Sequence, residues 1–299
     1  MTPAAPQSDA DVPRFVAELG LPGLVDVHTH FMPQRVLDKV WGYFDRVDGP
    51  GGLRWPIHYR HDEATRVAIL RSLGVRRFTS LCYAHKPAMA AWLNAWSADF
   101  AAHHPDCVHS ATFFPEADVD AYVAEAVAAG ARIFKVHLQV GAFDPCDRRL
   151  DPVWARLARA GLPTVLHAGS GPEPGPHTGP GPTTRLLERH PELVLVIAHA
   201  GAPEYTEFLD LALRFEHVVL DTTMAFTDYF DRLDPTGRPA GYDERVRAHP
   251  ERFVLGSDFP NIPHAYAHQL AALVRLGVDR DWLRAVCWDN GRRLLAATG

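Results

Sequence analysis

The sequence lacks any long apolar run. The roughly 20 consecutive apolar residues that a membrane-spanning helix needs are nowhere present, and the run at residues 193–198 stops at His199. Residues 1–11 are rich in alanine, proline and acidic side chains, and they lack the basic start and apolar core of a signal peptide. We therefore expect a cytoplasmic protein with no membrane partner.

Cysteines are few, and positive charge is not in excess. The four cysteines lie far apart and form no C-x-x-C pair, which argues against a disulfide framework and fits a reducing compartment. With 30 basic and 36 acidic residues the formal net charge is −6, so the chain offers no basic face of the kind that nucleic acids require. A small-molecule substrate is the expected partner. Histidine, in contrast, is abundant, with 17 in the sequence.

Short apolar runs rich in β-branched residues recur, each followed by a stretch long enough for a helix. Such alternation is typical of βα units around a parallel sheet. Eight runs in alternation predict a closed barrel, since a doubly wound open sheet usually has fewer strands and a crossover at its middle. The predicted fold class is α/β, a (β/α)8 TIM barrel that forms a single catalytic domain over residues 21–299, preceded by an N-terminal extension over residues 1–20. The predicted strands cover residues 23–28, 77–83, 108–114, 131–138, 163–167, 193–199, 217–222 and 252–257.

Two predicted loops are longer than packing requires. They cover residues 31–65 after the first strand and residues 168–182 after the fifth. The second reads AGSGPEPGPHTGPGP, which is too rich in glycine and proline for a helix or a strand. Because barrel enzymes build their sites at strand C-termini, we expect this loop to lie over the barrel mouth. The alternative is a tolerated surface insertion.

Side chains of the metal-ligand type end four of the predicted strands. The first strand leads into VDVHTH, and because strand residues two apart point to the same face, His28 and His30 can both face the barrel axis. His167 ends the fifth run, His199 ends the sixth, and Asp258 follows the eighth. Imidazole and carboxylate together suit zinc, manganese or iron better than calcium or magnesium. Any one histidine alone could cap a strand by bonding a loop carbonyl, but five such residues at matched ends indicate a metal centre.

Five segments, VDVHTHFMP, VLHAGSG, VIAHAG, VLGSDFP and WDNGRRLL, resemble the amidohydrolase superfamily, specifically its amidohydrolase-2 branch. The similarity runs along nearly the whole chain. It implies one divalent metal ion, with zinc as the first choice, held by His28, His30, His167 and Asp258. It also implies that His199 acts as polariser or general base, and that Asp258 takes a proton from the attacking water and passes it to the leaving group.

The predicted fourth strand reads IFKVHL, so Lys135 and His137 also face the axis together. We expect Lys135 to bind an anionic substrate. The alternatives are a buried ion pair and a carboxylated lysine that bridges a second metal ion, as in the two-metal members of the superfamily. His137, Tyr83 after the second strand and Arg54 in the first long loop are further candidates for substrate binding. Asp221, at the end of the seventh strand, is predicted to lie near the pocket without an assigned role.

The leading functional hypothesis is hydrolysis, in which a metal-activated water attacks the carbonyl of an ester, lactone or amide in a small, anionic substrate. The first alternative is non-oxidative decarboxylation of an aromatic or muconate-like acid, which the amidohydrolase-2 branch also includes and which uses the same ligands. The second alternative is a catalytically silent metal-binding barrel, although no ligand position is missing from the sequence. Dimers are common among such barrels, so a homo-oligomer is the expected assembly.

Overall fold

The computed structural model describes residues 2–46, 54–233 and 237–296, and nine short strands alternate with helices within these ranges. Each predicted apolar run overlaps a strand, but most strands are shorter than predicted, and the second strand starts at Val75, two residues before its predicted run. The third predicted run is divided in two at His109. The strands are β1 (Leu24–Val25), β2 (Val75–Thr79), β3 (Cys107–Val108), β4 (Ser110–Thr112), β5 (Ile133–His137), β6 (Thr164–His167), β7 (Leu195–Ile197), β8 (Val218–Asp221) and β9 (Phe253–Val254).

Helices follow the strands, and two of them end at glycines that the sequence marks as stops. Gly130 and Gly161 have φ of 94° and 61°, a left-handed conformation that glycine adopts without a Cβ penalty and that commonly ends a helix. The helices are α1 (Val12–Leu19), α2 (Gln34–Phe44), α3 (Glu63–Ser72), α4 (Ala90–His103), α5 (Val119–Ala128), α6 (Leu138–Gly141), α7 (Asp151–Ala160), α8 (Pro180–Arg189), α9 (Tyr205–Arg214), α10 (Asp228–Leu233), α11 (Tyr242–Ala248), α12 (Tyr266–Arg275), α13 (Arg280–Arg284) and α14 (Asn290–Ala296). No helix in the described ranges is long and apolar enough to cross a bilayer.

The strands pair in parallel and in sequence order, which is the arrangement expected of a barrel. Strands β1 to β3 form one sheet and β4 to β9 form another, and β3 and β4 are separated by one residue. The segments that follow the first and last strands meet through backbone hydrogen bonds rather than a continuous ladder. Val27 N donates to Leu255 O at 2.9 Å, Asp258 N donates to His28 O at 2.8 Å and His30 N donates to Phe259 O at 2.7 Å. These bonds form a seam between the start and the end of the barrel.

The barrel has an inner and an outer apolar layer. Along β5, Ile133 packs inside the barrel with the other inward β-branched residues, whereas Phe134 packs outward under the helices. Because side chains alternate along a strand, Lys135 and His137 share the inner face with Ile133. The fold therefore points both predicted substrate residues at the barrel axis.

The segments outside the predicted barrel strands contain more order than the sequence analysis expected. The first long loop contains α2, and its residues 47–53 lie outside the described part of the chain. The predicted N-terminal extension packs on the barrel through α1, whose Phe15 and Leu19 are buried, and Asp9 Oδ1 accepts a hydrogen bond from Ala267 N at 2.9 Å. The second long loop has no helix or strand before α8 begins at Pro180.

Candidate metal centre

A cavity of about 1250 Å³ opens at the C-terminal ends of the strands. All five residues of the predicted metal centre line it, together with Tyr83, Lys135 and His137. The glycine- and proline-rich loop contributes its residues 169 and 171–176 to the wall, which agrees with the expectation that this loop lies over the barrel mouth.

His28 and His30 are both held through Nδ1. His28 Nδ1 donates to Asp221 Oδ2 at 2.8 Å, and His30 Nδ1 donates to the carbonyl of Leu81 at 2.7 Å. An imidazole that donates from Nδ1 in its neutral form carries its lone pair on Nε2, the atom that binds a metal in such an arrangement. Burial, followed by the charge of Lys135, lowers the pKa of His28 to about 4, so this ring is neutral at pH 7.

Asp258 brings a carboxylate oxygen to both of these Nε2 atoms. Its Oδ1 lies 2.9 Å from His30 Nε2 and 3.3 Å from His28 Nε2. Burial raises the pKa of Asp258, but His30, His28 and His199 outweigh that effect and hold the pKa well below its usual range. The residue has a φ of 69°, an uncommon conformation for a non-glycine residue that is often found at functional sites.

His199 and His167 complete the floor of the cavity. His199 Nδ1 donates to the carbonyl of Thr223 at 3.1 Å, which again leaves the lone pair on Nε2. His167 is held the other way, since its Nε2 donates to Gly171 O at 3.2 Å and its lone pair is on Nδ1. The rings of His167 and His199 are 4.8 Å apart between centroids. Burial lowers the pKa of both, so both are neutral proton acceptors at pH 7.

The structure brings part of the predicted ligand set into one tight group. Potential ligand atoms of His28, His199 and Asp258 lie within 4.8 Å of one another. His30 contacts Asp258. Neither His30 nor His167 belongs to the group whose ligand atoms all lie within 4.8 Å of one another. The geometry thus places His199, predicted as a base, as close to the centre as the predicted ligands.

The arrangement fits a cation. His30 donates through Nδ1, so its Nε2 carries a lone pair. This Nε2 lies 2.9 Å from Oδ1 of Asp258. Two lone pairs at that distance repel each other unless a proton or a cation lies between them. Imidazole nitrogens and a carboxylate are the donor set of catalytic zinc sites. The residues present are therefore compatible with a divalent metal ion.

Three of the four predicted substrate residues line the cavity. Lys135 Nζ lies 3.0 Å from His28 Nε2 and donates to it, and burial lowers the pKa of this fully enclosed lysine to about 8. His137 stacks on His167 with 3.9 Å between ring centroids and an interplanar angle of 11°. Tyr83 lies 5.2 Å from the His137 ring.

Arg54 is placed differently. It is exposed and is not among the residues that line the cavity.

A family model described as amidohydrolase, of the amidohydrolase-2 type, matches residues 25–296. The chain belongs to the amidohydrolase-2 family. This family contains both hydrolases and decarboxylases, is generally metal-dependent and acts on small molecules. No curated protein matches the sequence closely enough to count as a relative.

Solved structures with the same fold cover nearly all of this amidohydrolase-2 chain. An uncharacterised TIM-barrel protein from Bordetella bronchiseptica is 18% identical, with 93% of this chain and 99% of that chain covered and a TM-score of 0.70. A putative 2-pyrone-4,6-dicarboxylic acid hydrolase from Pseudomonas putida is 19% identical, with 92% and 98% covered and a TM-score of 0.61. A 5-carboxyvanillate decarboxylase from Sphingomonas paucimobilis is 16% identical, with 92% and 99% covered and a TM-score of 0.62. These likenesses confirm the predicted TIM-barrel fold.

Two features of this amidohydrolase-2 site were not anticipated from the sequence. The first is the part played by Asp221, which is fully buried. Its Oδ2 holds His28, and its Oδ1 accepts from the backbone N–H groups of His199 at 2.8 Å and Thr223 at 3.1 Å. Although burial opposes it, His28 and the other neighbouring charges lower the pKa of Asp221 to about 2. The sequence did contain a signal for this role, because Asp221 is a carboxylate at the end of the seventh apolar run, where the ligands of the neighbouring runs also lie.

The second feature is a basic face on α2. Arg35, Lys39 and Tyr43 recur every four residues, so they lie on one side of the helix, and all three line the cavity together with Arg46, which follows the helix end at Phe44. The guanidinium of Arg35 lies 4.6 Å from the ring centre of Trp92, a cation–π contact. The sequence did contain a signal for this helix, because the basic residues within QRVLDKVWGYF are four positions apart in a segment that we predicted as a loop.

Proposed function

We propose that this protein is a metal-dependent hydrolase that opens an ester, lactone or amide bond in a small, anionic substrate. The observation that carries the proposal is the contact of one Asp258 oxygen with Nε2 of both His28 and His30 at the floor of a deep cavity. A carboxylate at this position can serve the centre and also receive a proton from water.

The proposed ligands of the metal ion are His28, His30, His167 and Asp258, and zinc is the first choice on the chemistry of the donor set. When bound, such an ion lowers the pKa of a water molecule towards 7 and polarises a substrate carbonyl. We propose one ion, because Lys135 lies in the field of Asp221 and Asp258, and these two carboxylates favour its ammonium form. A second ion would require this lysine to be carboxylated.

The proton transfers are assigned to residues of the chain. Asp258 is ionised, so it can take a proton from the attacking water and return it to the leaving group. His199 presents a neutral Nε2, because its Nδ1 is committed to Thr223 O. It acts as an acceptor beside the reacting carbonyl. His137 accepts a hydrogen bond at Nδ1 from Val140 N at 3.3 Å, so its Nε2 carries a proton and can donate to a substrate oxygen.

An anionic substrate is supported by the charges on the cavity wall. The cavity is lined by Arg35 and Lys39 from α2, by Arg46 just after this helix, and by Lys86 after β2. Guanidinium and ammonium groups bind carboxylates through charge-assisted hydrogen bonds. Aromatic rings of Trp55, Tyr83 and Phe230 in the same wall suit a flat or apolar substrate body.

Decarboxylation of an aromatic acid is the second candidate. Lys135 favours it, since a buried ammonium beside the centre is a proton donor of the kind that replaces a departing CO2. The same basic wall would hold the substrate carboxylate, and a solved structure of similar fold is named as a 5-carboxyvanillate decarboxylase.

The test is incubation of zinc-loaded protein with a panel of lactones and a panel of hydroxybenzoates, while acid release and CO2 release are followed separately. Acid release from the lactones, absent in Asp258→Asn, supports the hydrolase. Turnover of the hydroxybenzoates alone would replace it with the decarboxylase. A protein that retains no zinc and acts on neither panel would be a silent barrel.

A further inference from the structure

A second cavity lies at the other end of the barrel from the metal centre. Its volume is about 340 Å³, within the size range of small-molecule sites. Arg132, just before β5, lines this cavity, whereas His137 at the end of β5 lines the metal cavity. Because a strand rises about 3.3 Å per residue, these two positions are about 16 Å apart along β5. The second cavity is therefore separate from the proposed active site.

Three arginines from three different elements line this cavity. Arg77 belongs to β2, Arg132 precedes β5, and Arg292 belongs to α14. The floor is apolar and is formed in part by Val25 and Val108. Within residues 2–46, 54–233 and 237–296, no aspartate or glutamate lines the cavity. We call this site the arginine pocket.

The positive charge of the arginine pocket has no counter-charge in the described part of the chain. Arg77 Nη1 donates to the carbonyl of Pro105 at 3.2 Å, which fixes the side chain without neutralising it. Arg132 and Arg292 form no side-chain hydrogen bond or ion pair with any residue that the structure describes. By contrast, Arg71 on the neighbouring α3 binds Asp106 through two hydrogen bonds of 2.7 and 2.8 Å.

A histidine nitrogen in the same cavity is also unpaired. His109, at the break between β3 and β4, lines the arginine pocket. Its ring lies close to the backbone carbonyls of Ala129 and Gly130, but its buried Nε2 forms no hydrogen bond of ordinary geometry with a described residue. A buried polar atom with no partner is uncommon in folded proteins and often marks a missing ligand, ion or water. All three arginines are exposed to solvent, so water hydrates their charges in the absence of a ligand, and a bound anion would attract all three.

We propose that the arginine pocket binds a small dianion, either a phosphate group or a dicarboxylate, through Arg77, Arg132 and Arg292. A planar guanidinium matches the oxygen spacing of carboxylate and phosphate and can form paired hydrogen bonds with either. The apolar floor accommodates the carbon part of an organic ligand. The proposal does not depend on the reaction at the metal centre.

The test is isothermal titration of the zinc-loaded, full-length protein with inorganic phosphate and, separately, with succinate. We expect at least one of the two to bind, and the double substitution Arg132→Gln/Arg292→Gln to raise its dissociation constant about tenfold or more, since two charge-assisted contacts are lost. The matched control is Arg159→Gln/Arg275→Gln, which removes the same charge from two exposed positions on α7 and α12. Because anions also reach the metal cavity, the titrations are repeated on Arg35→Gln/Lys39→Gln, which removes two positive charges from the wall of that cavity, and binding to the arginine pocket should persist.

Binding of phosphate alone or of succinate alone identifies which dianion the pocket takes. The proposal is overturned if the wild-type protein binds neither anion, or if the double substitution binds as tightly as its matched control. Should the double substitution unfold in circular dichroism, the single exposed change Arg292→Gln gives the same comparison.

Discussion

His28 and Asp221 are joined by a hydrogen bond of 2.8 Å between Nδ1 and Oδ2, and both side chains are buried. The other oxygen of Asp221 accepts from two backbone N–H groups, so both oxygens are engaged. Asparagine offers only one acceptor oxygen. In Asp221→Asn, either His28 or the backbone after β7 and β8 must therefore lose its acceptor.

We expect Asp221→Asn to lower the affinity for zinc about 10- to 100-fold, as is typical when the group that orients a ligand histidine is removed. Competition against a fluorescent chelator measures this directly. Asp99→Asn is the control, since its side chain is 74% exposed on α4. Equal zinc affinity in the two variants would show that the bond to His28 does not tune the centre.

Asp258→Asn removes the carboxylate that faces both His28 and His30. An amide cannot accept a proton from water at neutral pH, so we expect kcat on the best substrate of the lactone panel to fall about 10²- to 10⁴-fold. Zinc content is measured in parallel, which separates lost chemistry from lost metal. A variant that holds zinc and keeps its kcat would remove Asp258 from the mechanism.

Removal of the metal ion should destabilise the fold, because the ligands come from opposite ends of the chain. When free zinc exceeds its dissociation constant a hundredfold, the folded state gains about 2.7 kcal/mol. Thermal unfolding of chelator-treated protein, with and without added zinc, gives the shift. His28→Ala should abolish the gain, and an equal rise in this variant would point to zinc binding elsewhere.

Gly256→Ala should disturb the centre without any change of charge. A Cβ at this position would lie 2.2 Å from Thr223 Oγ1 and 2.8 Å from His28 Cβ, so neighbouring atoms must move. We expect a loss of about 1–3 kcal/mol in the free energy of unfolding, together with weaker zinc binding.

Gly42→Ala is the control for this substitution. Its Cβ meets only the end of Arg46 at 3.6 Å, and alanine in place of glycine within α2 should stabilise by up to about 1 kcal/mol. Stability measured by urea unfolding should therefore change in opposite directions for the two glycines. A Gly256→Ala protein as stable as the wild type would mean that the strand ends are less tightly packed than the distances indicate.

The ion pair of Arg71 and Asp106 predicts a pH-dependent contribution to stability. Hydrogen bonds from Arg71 lower the pKa of Asp106, so the folded state favours the ionised carboxylate. The contribution is complete above the unfolded pKa of about 3.9 and disappears as the pH falls through the lower folded-state pKa. Asp106→Asn should cost about 0.5–1 kcal/mol at pH 7 and progressively less as the pH falls below 4. The free energy of unfolding of both proteins is measured by urea unfolding at pH 7 and below pH 4. A difference between them that does not change with pH would contradict the prediction.

Much of the fold could be predicted from the sequence because the signals are local. Buried parallel strands read as apolar β-branched runs, and the order of those runs fixes the order of the strands. Strand ends could not be predicted, since pairing depends on the partner. The run at residues 23–28 keeps only Leu24–Val25 as a strand. Its continuation bonds to Arg77 of β2 through Asp26 N and to Leu255, just after the last strand, through Val27 N. The third run breaks at His109, where no glycine or proline marks the interruption.

The part of the candidate site that could be predicted from the sequence consists of ligand-type residues at the ends of strands. His28, His199 and Asp258 converge because each follows a strand that ends at the same rim. The support that Asp221 gives to His28 could not be predicted, because it joins residues 193 positions apart in the chain. Arg54 remains a prediction from charge alone, and its place outside the cavity lining reflects the path of a loop that composition does not determine.

The seam that joins the start of the barrel to its end also determines when the metal centre can form during synthesis of the chain. His28 is made early in translation and Asp258 late, and they become neighbours only when the two ends of the sheet meet. Metal capture at the proposed centre must then be among the last events of folding, and a chain still held on the ribosome before residue 258 has emerged should carry no ion.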